Sequence, residues 1–287
     1  MYQIILNPVS GQRKARKNLR IVENVLKERN LSYAVHFSQG IRDAERIARE
    51  LTSAGENEII VLGGDGTLHE VLNGLLDPTL CRLGIVPSGT GNDFVESLGI
   101  SKNVRQAIEN IIDGEAKATD YIQVSDRRCL NVAGIGMDVD VLERCSRGKM
   151  KGKLKYLFSL LQSLFTFKGY PVVMECGENT ERHDALIAAA CNGTQFGGGI
   201  RICPTAVVDD RKLNVVLVEC IGGKWKLIKA LITLLKGKIL SYPATTHFLC
   251  DRVVFRPDKP CTLQLDGELY TDIVFDAKIC QGLKIYR

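Results

Sequence analysis

Short apolar runs alternate with helical patterns along the first 118 residues of the chain. The runs YQIILNP, SYAVHFS, EIIVLGG and RLGIVPSG are rich in Val and Ile and end at Gly, Pro or Ser, as β-strands do. Between them, DAERIAREL has the apolar spacing of a helix, and a further helix is predicted from Thr67 to about Leu76. This β-α-β-α alternation predicts a parallel sheet with helices on its faces.

The pattern changes after about residue 118. The runs DYIQVSD, RRCLNVAG, YPVVMECG, ALIAAACNG and KLNVVLVE, and others from residue 247 onward, are typical of strands joined by short turns. Two long helical patterns interrupt them, near 151–168 and 224–238. The sequence therefore predicts two domains: an α/β domain over 1–118 and a β-rich, mainly antiparallel, sandwich-like domain over 119–287.

Composition excludes several classes of protein. The net charge of +5 in 287 residues is too small to indicate a nucleic-acid partner. The apolar run at the amino terminus is too short for a signal peptide, and no apolar stretch is long enough to span a bilayer. Ten scattered cysteines without a CxxC pair indicate neither a zinc site nor a disulfide framework. We therefore expect a cytoplasmic protein.

Three glycine-containing turns carry the candidate chemistry. NPVSG (7–11) follows the first strand, GGDGT (63–67) the third and PSGTGND (87–93) the fourth, and each opens a predicted helix. Such turns expose backbone N–H groups at the positive end of a helix dipole, which favours phosphate. Thr67 and Glu70 also fit a capping box, which would explain part of one turn by helix initiation alone. Three such turns at one sheet edge nevertheless favour a phosphate-binding site.

Two aspartates in these turns, Asp65 and Asp93, indicate phosphoryl transfer. A carboxylate beside a polyphosphate is repelled unless Mg²⁺ lies between them or a hydroxyl proton needs an acceptor. The sequence contains neither the GxxxxGK[ST] pattern of P-loop NTPases nor the GxGxxG pattern of dinucleotide folds.

The motifs resemble those of the diacylglycerol kinase catalytic domain. NPVSG, GGDGTLHEVLNGL and PSGTGNDF occur in that order, and the resemblance is strongest to soluble bacterial lipid kinases of the YegS type. It continues through NGTQFGGG (192–199), CPTAVVDDRKL (203–213) and LDGE (265–268), and so covers nearly the whole chain. The resemblance implies an ATP- and Mg²⁺-dependent kinase that phosphorylates the hydroxyl group of a lipid alcohol such as diacylglycerol, in the cleft between the two domains.

The resemblance also implies roles for individual residues. Those matched to nucleotide-contacting segments are Asn7, Pro8, Val9, Ser10, Gly11, Ser38, Gly64, Asp65, Gly66, Thr67, Leu68, His69, Glu70, Thr90, Asn92 and Asp93. Among them, Asp65 and Asp93 match an acidic pair that organises Mg²⁺ near the phosphates, and His69 is expected on the surface of its helix. Glu268 matches the proton acceptor for the lipid hydroxyl, and Asp266 is the alternative base or a residue that shapes the site.

A structural Mg²⁺ site is implied in the loop VVDDRKL. By the resemblance, the Asp210 side chain and the carbonyl oxygens of Val207 and Lys212 would bind the ion. Arg211 replaces the glycine that is usual in relatives. If that position has a positive φ, arginine strains the loop, and its charge weakens metal binding.

Two basic amphipathic patterns bear on the partner. In the first, an apolar stripe near 151–168 is accompanied by four lysines, Lys149, Lys151, Lys153 and Lys155. In the second, near 224–238, the apolar stripe consists of Leu227, Ile228, Leu231, Ile232 and Leu235. Such helices either lie on an anionic membrane surface or pack their stripe into the core with the lysines in solvent. The expected partners are ATP and a lipid alcohol, at a peripheral membrane surface if the first alternative holds. The oligomeric state, monomer or homodimer, stays open.

Two other classes of function compete with the lipid kinase. An NAD kinase-like enzyme with a soluble acceptor would share GGDGT, but PSGTGNDF and the basic helices disfavour it. A nucleotide-binding regulator without turnover would need no base, so the presence of Asp65, Asp93 and Glu268 together disfavours that class.

Overall fold

The computed structural model describes residues 1–147, 163, 169–220 and 222–287, which form two compact units. The first unit contains residues 1–120 and 281–287, and the second contains residues 121–280. The predicted division at 118/119 lies close to the first of these boundaries, but it assigned residues 281–287 to the second domain.

Parallel strands and helices alternate in the first unit, which confirms the predicted α/β fold. Its elements are β1 (Tyr2–Leu6), α1 (Ser10–Glu28), β2 (Tyr33–Phe37), α2 (Asp43–Ser53), β3 (Glu58–Gly63), α3 (Asp65–Gly74), β4 (Arg82–Pro87), α4 (Asp93–Ser97) and α5 (Val104–Asp113). The strands lie in the order β2-β1-β3-β4, and each neighbouring pair is parallel. The turns after these strands therefore leave the sheet at one edge.

The central strands of this sheet are buried on both faces. The four consecutive residues Ile59 to Leu62 of β3 are at most 1% exposed, although successive side chains of a strand point to opposite faces. On one face, Ile60 and Leu62 pack with Val22 and Leu26 of α1. The apolar runs are therefore continuous because helices cover a parallel sheet on both sides.

Antiparallel pairing dominates the second unit, as predicted. Its elements are β5 (Ala116–Val124, of which the residues from Tyr121 onward lie in this unit), β6 (Arg127–Cys129), β7 (Val132–Gly136), α6 (Met137–Arg147), β8 (Tyr170–Cys176), β9 (Asn179–Cys191), β10 (Leu213–Glu219), α7 (Lys224–Leu235), β11 (Thr245–Cys250), β12 (Arg252–Pro257), β13 (Leu263–Leu265), β14 (Glu268–Tyr270) and β15 (Phe275–Tyr286). β9 is the central strand, with β7, β8 and β10 as antiparallel neighbours. The end of β15 belongs to the first unit, where Lys284 pairs in parallel with Arg82 of β4.

Strand β10 separates two apolar cores. Val215 and Leu217 lie in the first core, while Val216 and Val218 lie in the second, together with Leu231 of α7. The period of two along a strand sends alternate residues to opposite faces. The continuous run KLNVVLVE is therefore a strand buried on both sides.

The sequence prediction missed helix α6. It begins directly after β7, and its buried apolar residues Met137 and Val141 are only one helical turn apart and join the second core. One turn of periodicity is too short to distinguish a helix from a connection between strands. Apart from Ser163, the helix predicted near 151–168 lies outside the described residues, and so do Lys149, Lys151, Lys153 and Lys155.

The packing of the second unit can be tested at two adjacent, tilted phenylalanine rings. Phe255 of β12 pairs with Phe275 of β15; the ring centroids are 5.0 Å apart, and both residues are at most 1% exposed. Because Phe255→Ala empties a buried ring site, we expect it to lower the free energy of unfolding by about 3–5 kcal/mol. The measurement is denaturant unfolding followed by circular dichroism.

The control is Leu249→Ala, a side chain in the same unit that is 54% exposed. It should change the free energy of unfolding by less than about 0.5 kcal/mol. Equal unfolding midpoints for the two variants would contradict the buried placement of Phe255.

Candidate active site

Backbone contacts join the three glycine-containing turns of the first unit. A Cβ atom on Gly89 would lie 2.4 Å from the Cα atom of Gly64, and one on Gly64 would lie 2.8 Å from the Cα atom of Gly89. Gly11 has a φ of +57°, and a Cβ atom there would lie 2.1 Å from the carbonyl oxygen of Ser88. A side chain at any of these positions would push the turns apart. The three turns therefore form one joined surface.

The carboxylate of Asp65 links the turn after β3 to the turn after β4. Its Oδ2 atom accepts the backbone N–H of Asn92 at 2.7 Å, and its Oδ1 atom accepts the N–H of Asp93 at 2.9 Å. Asn92 has a φ of 56°, a left-handed conformation that asparagine tolerates better than most residues. Its side-chain amide also exchanges two 3.1 Å hydrogen bonds with the backbone of Gly89. The charge inside the glycine turn thus has a structural partner.

Hydrogen bonds attach helix α1 to the same surface. The Nδ2 atom of Asn18 donates to the Oγ atom of Ser88 at 2.8 Å, and the N–H of Ser88 donates to the carbonyl oxygen of Gly63 at 2.8 Å. The hydroxyl oxygens of Ser10 and Thr67 lie 3.5 Å apart. The start of α1 is therefore held beside the turns after β3 and β4.

The predicted capping box of α3 is wrong. The helix begins at Asp65, its N-cap is Gly64, and no side chain caps it. Glu70 instead accepts the backbone N–H groups of Arg42 at 2.9 Å and Ala44 at 3.1 Å. A carboxylate at N3 can reach back only to the N-cap of its own helix, and here the N3 residue is Thr67. Glu70 therefore stabilises the start of α2.

The expected surface position of His69 is also wrong. This side chain is 2% exposed, and its neighbours Thr67 and Leu68 are each 4% exposed. The Nδ2 atom of Asn73 donates to the carbonyl oxygen of His69 at 2.9 Å. These three predicted nucleotide-binding residues are therefore packed in the first unit, whereas Thr90, on the turn after β4, is exposed.

A cavity of about 430 Å³ opens at the ends of β1 and β2. The residues that line it are Asn7, Pro8, Val9, Arg16, Phe37, Ser38, Gln39, Gly40, Ile41 and Glu70. Five of them were predicted from the sequence, while Arg16 and the residues around Ser38 were not. The residues around Ser38 could have been predicted, because β2 is a parallel strand and its carboxyl end must lie at the same sheet edge as the three turns.

In the second unit, the carboxylate of Asp266 is hydrogen-bonded to backbone N–H groups. Its Oδ2 atom accepts the N–H of Leu130 at 2.8 Å, and its Oδ1 atom accepts those of Asn131 at 2.8 Å and Val132 at 3.2 Å. Asp266 itself has a φ of 53°. Burial, and in second place the nearby Asp266 charge, raises the pKa of the Cys129 thiol well above its ordinary value. Asp266 therefore holds the turn between β13 and β14.

Glu268 lies two residues further on and is placed differently. It is exposed at the first position of β14, where its backbone pairs with Leu265. Among the residues that the structure describes, its carboxylate has no hydrogen-bond or ion-pair partner. Of the two candidate bases, Glu268 is thus the one whose oxygens are available to another molecule.

In the loop implied to hold a structural metal, the position of Arg211 has the positive φ identified from the sequence as unfavourable for arginine. Arg211 has a φ of 63°. The Oδ1 atom of Asp210 accepts the backbone N–H of Lys212 at 2.9 Å, and the Nζ atom of Lys212 lies 2.9 Å from the Oδ1 atom of Asp251. Across the described residues, no cluster of three or more His, Cys, Asp or Glu side chains could hold a metal ion. The ligands Val207, Asp210 and Lys212 stay a prediction.

Comparison with known proteins identifies the family. A family model of the diacylglycerol kinase catalytic domain matches residues 1–124, and a model of the YegS C-terminal NAD kinase beta sandwich-like domain matches residues 131–283. The chain belongs to the YegS-type diacylglycerol kinase family. This confirms the resemblance carried by the motifs of both domains.

Members of this family from several bacteria match along most of the chain. A protein of Xanthomonas oryzae pv. oryzae named "Probable lipid kinase YegS-like" is 29% identical, and the match covers 93% of this chain and 89% of that protein. One of Salmonella heidelberg named "Probable lipid kinase YegS" is 33% identical over 74% of this chain and 72% of its own. A solved Bacillus anthracis structure described as a diacylglycerol kinase has a TM-score of 0.80 at 24% identity, covering 99% and 96% of the two chains. It shows the same fold.

The contact between Gly64 and Gly89 can be tested by adding one methyl group. Because Gly89→Ala would place a Cβ atom 2.4 Å from a backbone carbon, we expect it to lower the free energy of unfolding by about 1–3 kcal/mol. The measurement is the midpoint of thermal unfolding.

The matched control is Gly40→Ala, in the same unit, where an added Cβ atom would have no neighbour within 4 Å and φ is not positive. Its unfolding midpoint should equal that of the parent. If both variants melted at the same temperature, the close approach of the two turns would be disproved.

Proposed function

We propose that this chain transfers the γ-phosphoryl group of ATP to the hydroxyl group of a lipid alcohol such as diacylglycerol. The observation that carries the proposal is the joined surface of three glycine turns at one edge of a parallel sheet. The names of the relatives support the acceptor, since two are called lipid kinases and one from Bacillus subtilis, 27% identical, is called diacylglycerol kinase.

The residues of the first unit fit a nucleotide. The cavity of about 430 Å³ falls within the usual range of ligand pockets, about 300–1,000 Å³. Three of its apolar side chains, Val9, Phe37 and Ile41, are 69%, 47% and 93% exposed, and a bound base would remove them from water. Arg16 lines the same cavity and supplies a positive charge for phosphate oxygens. The base would thus lie near Phe37 and the phosphates near the glycine turns.

Asp65 and Asp93 have the carboxylate oxygens that Mg²⁺ prefers. Each Asp65 oxygen accepts a backbone N–H, and a carboxylate oxygen can accept a further interaction. When bound, the ion would neutralise the charge that develops on the phosphate oxygens during transfer. The backbone N–H groups of Asn92 and Asp93 orient Asp65 for this role, because they fix the plane of its carboxylate.

Glu268 is proposed as the general base, and Asp266 as a positioning residue. A base must accept the hydroxyl proton of the lipid as the phosphoryl group arrives, so its oxygens must be accessible. Glu268 meets this condition because it is exposed, whereas Asp266 directs its oxygens at three backbone N–H groups. Asp266 then acts on the reaction through the turn that presents Glu268.

Two isosteric substitutions separate these roles. We expect Glu268→Gln to lower kcat by about 10²–10⁴-fold with little change in the KM for ATP, since only proton transfer is lost. Asp266→Asn should lower the free energy of unfolding by about 1–3 kcal/mol, because an amide N–H₂ would face a backbone N–H. Steady-state kinetics and thermal unfolding of both variants check the assignment.

The assignment has two contradicting outcomes. A Glu268→Gln variant with near-normal kcat would exclude it as the base. An Asp266→Asn variant that is as stable as the parent, yet inactive, would transfer the role of base to Asp266.

The reaction itself is tested with γ-labelled ATP, Mg²⁺ and a panel of acceptors separated by thin-layer chromatography. Label should enter diacylglycerol or another lipid alcohol, and removal of Mg²⁺ with EDTA should abolish it. Label in NAD instead would favour an NAD kinase-like enzyme. Binding of ATP without label in any acceptor would favour a nucleotide-binding regulator.

A further inference from the structure

Helix α7 of the second unit has two unlike faces. Leu227, Ala230, Leu231 and Leu234 turn toward the second apolar core, with Ile228 partly buried at its margin. The sequence prediction placed Ile232 and Leu235 on the same face as these residues. The structure corrects it, because both side chains point away from that core.

Three large apolar side chains form what we call the outer stripe of α7. Trp225 is 84% exposed, Ile232 is 46% exposed and Leu235 is 48% exposed. Their spacing of seven and three residues keeps them along one side of a helix. The described residues of the second unit therefore leave about half or more of each of these side chains exposed.

Positive charge surrounds the outer stripe. Residues 220–250 include five lysines and neither Asp nor Glu. Lys229 and Lys236 follow Trp225 and Ile232 by four residues each, so they lie on the same side of the helix. Lys226, Lys229, Lys236 and Lys238 are exposed, and none forms an ion pair with another residue in the described part of the chain.

This combination matches the surface of an anionic membrane. Tryptophan is enriched at the boundary between lipid and water, and lysines near that boundary are attracted to anionic lipids. In the described part of the chain no helix is long and apolar enough to span a bilayer. A 12-residue helix lying flat is about 18 Å long, and the outer stripe, from Trp225 to Leu235, would contact the surface over about 15 Å of it.

We propose that the outer stripe of α7 and its lysines dock the chain on the surface of an anionic phospholipid bilayer. The proposal rests on the proposed function, since a diacylglycerol acceptor lies in a bilayer. A second copy of the chain is a poorer partner, because two such faces would bring the like charges of Lys226, Lys229, Lys236 and Lys238 together, and residues 220–250 contain neither Asp nor Glu to neutralise them.

The chain carries its own reporter for this contact. Trp225 is the single tryptophan among the 287 residues, so tryptophan fluorescence reads the outer stripe alone. Vesicles containing phosphatidylglycerol should shift its emission to shorter wavelength and protect it from iodide quenching, and high salt should reverse the effect. Vesicles of phosphatidylcholine alone should have a much weaker effect. An unchanged emission spectrum with phosphatidylglycerol at low salt would overturn the proposal.

Matched charge variants locate the contact. The triple variant Lys226→Gln, Lys229→Gln, Lys236→Gln should bind phosphatidylglycerol vesicles about 100-fold more weakly, by sedimentation of the vesicles. The control Lys117→Gln, Lys278→Gln, Lys284→Gln removes the same charge from exposed lysines elsewhere and should bind like the parent. Equal losses in the two variants would overturn the proposal, because attraction would then follow net charge rather than α7.

Further outcomes separate the docking surface from the proposed reaction. If the parent binds vesicles through α7 but phosphorylates no lipid, the docking surface is supported and the proposed function is overturned. If it phosphorylates a dispersed short-chain diacylglycerol but does not bind vesicles, only the docking surface is overturned. An emission shift that follows protein concentration without vesicles, together with a doubled mass in analytical ultracentrifugation, would overturn it in favour of a second copy.

Discussion

The candidate site depends on the close approach of two backbones, at Gly64 and Gly89. Adjacent parallel strands lie roughly 4.8 Å apart, so the turns that leave β3 and β4 can touch only where neither carries a side chain. The contact brings the N–H groups of Asn92 and Asp93 within reach of the Asp65 carboxylate. The same geometry that exposes N–H groups to a ligand thus explains why a charge is tolerated in the turn after β3. The Asp65 carboxylate is already bound by backbone N–H groups of the chain itself.

The second unit repeats this device at the turn between β13 and β14. Asp266, like Asp65, stands before a glycine and uses both oxygens to accept N–H groups from a neighbouring segment. Glu268 follows two residues later with its carboxylate exposed. In LDGE the two acidic residues therefore have separate tasks: one fixes the turn and the other is presented by it. Sequence alone could not divide these tasks, because both residues have the same functional group and lie in the same turn.

Local patterns were sufficient for the parallel strands and the glycine turns, since strand runs and turn residues are encoded within a few positions. Contacts between distant segments were not predictable. Glu70 was interpreted as a cap of its own helix, yet its partners are Arg42 and Ala44, which only the fold brings near. His69 is buried by packing, although its position in a polar motif indicated a surface residue. The cavity residues around Ser38 were missed because the turn after β2 contains a single glycine and no repeated motif.

Helix α7 shows the same limit in a form that bears on function. Its apolar residues cover more than half of the helix circumference, so hydropathy alone cannot tell which of them the fold buries. Packing against β9 and β10 determines which residues are buried, since Ala189 and Val216 of these strands belong to the same core as Leu231 and Leu234. Among the described residues, Trp225 does not belong to the core that receives these leucines, and it is 84% exposed. A bilayer surface could remove its ring from water while the neighbouring lysines contact anionic headgroups, which is why the proposed docking surface depends on the residues of α7 that the fold leaves exposed.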